Sequence, residues 1–120
     1  MKASRTPLVV LGTLVVAITV ASTWWAGRQE AQVGAQVAAL AKPGDIRMLS
    51  SETCAICKVA KAWFTEHQVS HAECVIERDA ACKAEFEALQ APGTPVMLVR
   101  GKSQLGFNPG RLLAALQGGD

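Results

Sequence analysis

The chain contains no tyrosine, only three Phe and three Trp, and no block of Lys or Arg. Its twelve basic residues face ten acidic ones for a formal charge of +2, so nucleic-acid binding has no electrostatic footprint to rest on. No internal repeat is present, which sets aside solenoids and propellers. There is no Met- or His-rich tract, and the two histidines, His67 and His71, lack the paired spacing of a metal site; both read as surface or capping residues. At 120 residues the chain is short for more than one globular domain.

Charge is absent from one whole segment. Between Arg5 and Arg28 nothing ionises, and Leu8 to Ala26 reads LVVLGTLVVAITVASTWWA. At about 1.5 Å per residue, this run just crosses a hydrocarbon layer of roughly 30 Å. Lys2 and Arg5 precede it, and Arg28 and Glu30 follow, so the bias places the N-terminus in the cytoplasm. Trp24 and Trp25 stand at the far end, where amphipathic rings favour the headgroup layer. A cleaved signal peptide is the rival to a retained anchor. The run is long for a signal and no Ala-x-Ala closely follows it, which favours the anchor. Both readings carry the rest of the chain across the inner (cytoplasmic) membrane, to the periplasm or cell exterior.

Three segments result: an anchor or signal over residues 1–27, a linker over 28–44 and a domain over 45–120. The linker is rich in Ala and Gln; Val33, Val37 and Leu40 recur at helical spacing, and Pro43-Gly44 ends it. Beyond it, DIRMLSS predicts a strand. A helix from about Cys54 to His67 is expected to turn Ile56, Val59, Ala60, Trp63 and Phe64 inward, with Lys58 and Lys61 outward. AECVIERD predicts a second strand. Asp79 suits the N-cap of a helix with Cys82, Phe86 and Leu89 inside. VMLVR reads as a buried strand, Gly101-Lys102 as a turn into SQLGF, and Asn108-Pro109 as the start of a last helix. The expected class is α/β: a β-α-β-α-β-β-α sheet with flanking helices, preceded by one membrane-spanning or signal helix.

The candidate chemistry lies in TCAIC. A Cys-x-x-Cys where a strand passes into a helix sets Cys54 beside unpaired amides and the positive end of the helix dipole, which favour its thiolate. Cys54 is then the nucleophile, and Cys57, one turn further in, resolves the mixed disulfide. Thr94-Pro95 precedes the buried strand; a cis bond there would leave the peptide groups of Thr94 free to pair with an extended substrate. Cys74 and Cys82 are eight residues apart, and a disulfide between them would close a short loop, worth about 2–3 kcal/mol on the loop-entropy model. Two buried free thiols are the alternative.

TCAIC, Lys61 four positions past the second cysteine, the Asp79-capped helix, GTPV and a hairpin ending in Gly106-Phe107 together resemble the glutaredoxin family over residues 45–117. LGFNPGRL is most similar to glutaredoxin-like redoxins that behave as thioredoxins. The resemblance implies the thioredoxin-like fold, exchange through Cys54 and Cys57, and a cis peptide before Pro95. It departs from the glutathione-using members. Ser51 stands where they carry Lys, and Phe107, Asn108 and Pro109 replace their Gly-Gly and following Asp, so specific glutathione binding is not expected.

The leading expectation is therefore a membrane-tethered thiol–disulfide oxidoreductase without a bound cofactor. Its partners are protein thiols or disulfides and a membrane electron donor or acceptor. The alternative is a Cu(I) or Zn(II) carrier using the same two thiolates, which alone leave zinc undercoordinated.

Overall fold

The computed structural model describes residues 4–118. Its first element, α1 (Thr6–Leu40), is a single 35-residue helix. An 18-residue window within it has a mean hydropathy of 2.0 and no buried residues, so α1 is long and apolar enough to cross a membrane. Thr13, Thr19, Ser22 and Thr23 turn their hydroxyls back onto carbonyls three or four residues earlier, which satisfies their polarity within the helix. Arg28 lies over the Trp24 ring, 4.5 Å from its centroid.

The chain divides into one unit ending at Gln32 and a second beginning at Val33. The second unit corrects the expected linker. Residues 33–40 are helical, as their spacing suggested, but they are packed rather than solvated: Val37 is fully buried, and Ala41 is nearly so. Val33, Val37 and Leu40 form one stripe, and its apolar side packs into the core with Ile46 and Met48. Gly34 permits this. A Cβ there would come within 2.2 Å of His67 Nδ1, so only hydrogen fits.

Four strands follow: β1 (Ile46–Ser50), β2 (Ala72–Val75), β3 (Val96–Val99) and β4 (Lys102–Leu105), in the order β2-β1-β3-β4. β1 and β2 are parallel; β3 runs antiparallel to β1 and pairs with β4 as a hairpin. Residues of β1 and β3 alternate between the faces, as the period of two requires. Ile46, Met48, Met97 and Val99 face one core with α2 (Ala55–Glu66) and α4 (Pro109–Leu116). Leu49, Val96 and Leu98 face the other with α3 (Ala80–Ala88). The hairpin turns at Arg100 and Gly101, both at positive φ, the conformation a two-residue turn demands. Arg100 holds it there, donating to the carbonyl of Leu116 at the end of α4 and pairing with Asp45. Asp45 is held below the usual carboxylate range, chiefly because the Lys42 amide donates to it, with Arg100 assisting.

Asp79 and Asn108 cap α3 and α4 through their side chains, and Pro109 opens α4. Two inner faces differ from expectation. On α2 the buried stripe is Cys57, Ala60, Trp63 and Phe64, whereas Ile56 and Val59 are 53% and 61% exposed. The stripe at i, i+3, i+6 and i+7 already fills the space over the sheet. On α3, Cys82 is buried, but Leu89 is the C-cap and is exposed. β2 is also shorter than expected, because the chain turns at Ile76 to reach the Asp79 cap.

Candidate active site

β1 ends at Ser50, and four residues later Cys54 occupies the N-cap of α2 in extended conformation. The Ser51 carbonyl accepts from the Cys54 amide at 3.2 Å, which turns the chain into the helix. The Cys54 Sγ then accepts from the amide of Cys57 at 3.0 Å. A sulfur in that position takes the place of a capping oxygen, and a thiolate there receives both the hydrogen bond and the dipole. Cys54 and Cys57 are bonded to each other in the structure. Cys57 is 2% exposed and packed in the core, whereas Cys54 is half-buried at its edge. Of the two, Cys54 is the more accessible to an incoming partner.

Thr94 and Pro95 lie at the same end of the sheet. The last paired residues of β1 and β3 are Leu49 and Val96, so continuing that register sets Pro95 level with Ser50 and Thr94 level with Ser51. The Thr94–Pro95 peptide is cis. Pro95 is fully buried, and its carbonyl accepts from Gly106 at 2.8 Å, tying this bend to the end of β4.

A cleft of about 180 Å³ opens beside the cysteine pair, between α2 and the carboxyl end of β2. Cys54, Cys57, Lys58, Lys61, Glu73 and Arg78 are among the residues lining it. The Lys61 ammonium lies 3.3 Å from Glu73 Oε2, close enough for an ion pair, although that oxygen makes no hydrogen bond of acceptable geometry. Sequence reasoning placed Lys58 and Lys61 on this helix face. The acidic and basic residues contributed by β2 and the turn after it were not anticipated.

Two of these, Glu77 and Arg78, hold the loop ahead of Cys54. The Ser51 hydroxyl donates to Glu77, the Glu52 amide donates to the same carboxylate at 3.3 Å, and Arg78 pairs with Glu52. The Ser51 hydroxyl is the main reason that Glu77 ionises below the usual glutamate range. The signal for this clamp was present: two parallel strands end side by side, so the loops after β1 and β2 must meet.

A depressed carboxylate stabilises the fold above its unfolded-state value of about 4.5 and loses that contribution as pH falls through its lower folded value. A Glu77→Gln protein should therefore lose less stability than the parent between about pH 6 and pH 3, as read by urea midpoints. Equal losses in the two proteins would mean that the clamp does not stabilise the fold.

Cys74 and Cys82 are bonded as well, on the other face of the sheet from Cys57. His67 caps α2 and packs on Trp63, and His71 stacks on Phe64 and binds the Val69 carbonyl. Among the described residues, no group of three or more His, Cys, Asp or Glu is placed to hold a metal. Only the two thiols of the reduced Cys54–Cys57 pair would be offered to one.

The architecture matches solved structures. The thioredoxin-like protein BC3987 aligns over 59% of this chain and 97% of its own, at 22% identity and a TM-score of 0.51. Wheat glutaredoxin aligns over 72% of this chain and 91% of its own, at 18% identity and a TM-score of 0.50. The second unit of this chain thus has the thioredoxin-like fold, with a Cys-x-x-Cys at the start of its first sheet-covering helix. No family model matches the sequence, and no curated protein matches it.

Proposed function

We propose that the chain is a thiol–disulfide oxidoreductase, tethered by α1 and acting on protein substrates at the extracytoplasmic side of the inner membrane. One observation carries the reading: the two sulfurs are unequal, with Cys54 accessible at a helix N-cap and Cys57 sealed beneath it. That inequality separates an attacking thiolate from a resolving thiol.

In the reducing direction, the Cys54 thiolate attacks a substrate disulfide; one sulfur joins Cys54 and the other leaves as a thiolate. Cys57 then gives up its proton and attacks Cys54 Sγ, releasing the second substrate sulfur. Two electrons pass to the substrate, and the enzyme is left with the Cys54–Cys57 bond. The half-buried rim at Thr94 supplies peptide groups, just beyond the β1–β3 ladder, for an extended substrate segment. No bound cofactor takes part. Return to the dithiol requires a membrane electron donor; run backwards, the cycle requires an acceptor. Glutathione is not assigned as a specific ligand, since Ser51, in place of the usual Lys, is already engaged with Glu77. Lys2 and Arg5 on one side of the apolar run outnumber Arg28 on the other, and that excess supports a cytoplasmic N-terminus.

The test is equilibration of the purified protein with dithiol buffers of graded potential, followed by alkylation and mass measurement. The Cys54–Cys57 pair should titrate as one two-electron couple. A midpoint near roughly −270 mV would assign a reductase and one near roughly −120 mV an oxidant. A pair that never exchanges would remove the proposal.

A further inference from the structure

The Cys74–Cys82 bond lies across the sheet from the reacting sulfurs, yet a chain of contacts leads from it to Cys54. The bond closes the segment that carries the turn after β2. Within that turn, the amides of Arg78 and Asp79 donate to the Val75 carbonyl at 3.0 and 3.1 Å, and Asp79 caps the amide of Cys82 at 3.1 Å. The turn is joined to the end of β1 by the Ile76 amide, which donates to the Ser50 carbonyl at 2.9 Å. From it, Glu77 and Arg78 grip Ser51 and Glu52, and the Ser51 carbonyl receives the amide of Cys54. Each link is a covalent bond, a hydrogen bond or an ion pair, and the path runs along the end of the sheet where β1 and β2 finish side by side.

We infer that Glu77 and Arg78, stapled in place by the Cys74–Cys82 disulfide, are positioning residues for Cys54 that hold its sulfur against the helix amide. The inference rests on the proposed exchange chemistry and adds a second role for the second disulfide, beyond loop closure. With the staple intact, the loop before Cys54 samples few conformations and the sulfur stays within reach of the Cys57 amide. With the staple or the clamp removed, the loop relaxes and the thiolate loses part of that hydrogen bond. The reduced form is then less favoured, so the Cys54–Cys57 disulfide becomes harder to reduce.

Charge alone acts in the opposite sense. Glu52 and Glu73 line the cleft beside the sulfur with Lys58, Lys61 and Arg78, and Glu77 is one hydrogen bond away, accepting from the Glu52 amide. Deleting one carboxylate from that set favours a thiolate and makes the disulfide easier to reduce. The sign of the change therefore separates positioning from Coulomb effects.

The experiment measures the potential of the Cys54–Cys57 couple in five full-length proteins: the parent, Cys74→Ala/Cys82→Ala, Glu77→Ala, the combination of those three substitutions, and Glu77→Gln. Expected is an equilibrium constant for reduction about threefold lower in each of the first two variants, about 14 mV more negative for a two-electron couple. The combination should shift by less than the sum, because the staple and the clamp act through one path. Glu77→Gln, which keeps an acceptor for Ser51 but drops the charge, should show no negative shift. If the double alanine variant does not fold, Glu77→Ala and Glu77→Gln in the bonded protein still decide by sign. An unmoved potential, a positive shift in Glu77→Ala or fully additive shifts would overturn the inference while leaving the exchange chemistry standing. A parent protein whose pair never exchanges would instead remove the proposed function, and this inference with it.

Discussion

Replacing Cys57 with serine is expected to turn the protein into a trap that accumulates a covalent Cys54–substrate mixed disulfide. The reason is the sealing of Cys57, which is 2% exposed while Cys54 stands half-open at the N-cap. In the parent, the mixed disulfide is short-lived, because the resolving thiol sits in the first turn of the same helix and needs no diffusion to attack. A serine hydroxyl fills the same space but cannot displace a thiolate from sulfur. Mixed with an oxidised model substrate, Cys57→Ser should form a one-to-one adduct, visible on a non-reducing gel and lost on adding excess dithiol. Cys54→Ser should form none, because the remaining sulfur of the pair is on the buried face of α2, and its turnover should fall by about three orders of magnitude or more. An adduct through Cys57 in the Cys54→Ser protein would reverse the assignment of nucleophile and resolving thiol.

Local signals in the chain anticipated most of the architecture. Asp79 and Asn108-Pro109 mark helix starts through side-chain acceptors and a fixed φ, and both act only on their own turn of chain. The continuous apolar run of β3 marked a strand buried on both faces. The site's two cysteines were readable for the same reason: capping is a local event. What depends on the partner surface was less legible. Ile56 and Val59 have the right residue type for a core, but the sheet below α2 accepts only the stripe that includes Cys57 and Phe64. Glu77 and Arg78 looked like the polar end of a strand. Their role emerges only when the parallel pairing of β1 and β2 sets two loops side by side.

The burial of the end of α1 was less legible for a related reason. Its Ala- and Gln-rich composition suits a solvated spacer, and only the sheet shows which stripe is covered. A consequence follows for stability. A fragment spanning residues 45–120 should be less stable than one spanning 29–120 by about 3–5 kcal/mol, a large share of the roughly 5–15 kcal/mol available to a domain. The shorter fragment uncovers the core where Val37 and Ala41 were buried and where Val33, Ala38 and Leu40 packed against it. Full burial of one valine is worth about 1.5–3 kcal/mol, and the flanking residues supply the remainder. Urea unfolding of the two fragments compares them directly, and the shorter one should show a lower midpoint or no cooperative transition. Within the longer fragment, Gly34→Ala should reproduce part of the same loss, about 1–3 kcal/mol, because its methyl meets the His67 ring. That ring cannot swing aside freely, since it packs on Trp63 with centroids 4.6 Å apart. Equal midpoints for the two fragments, together with a neutral Gly34→Ala, would show that residues 33–41 add nothing to the fold and that the domain is complete from residue 45 onward.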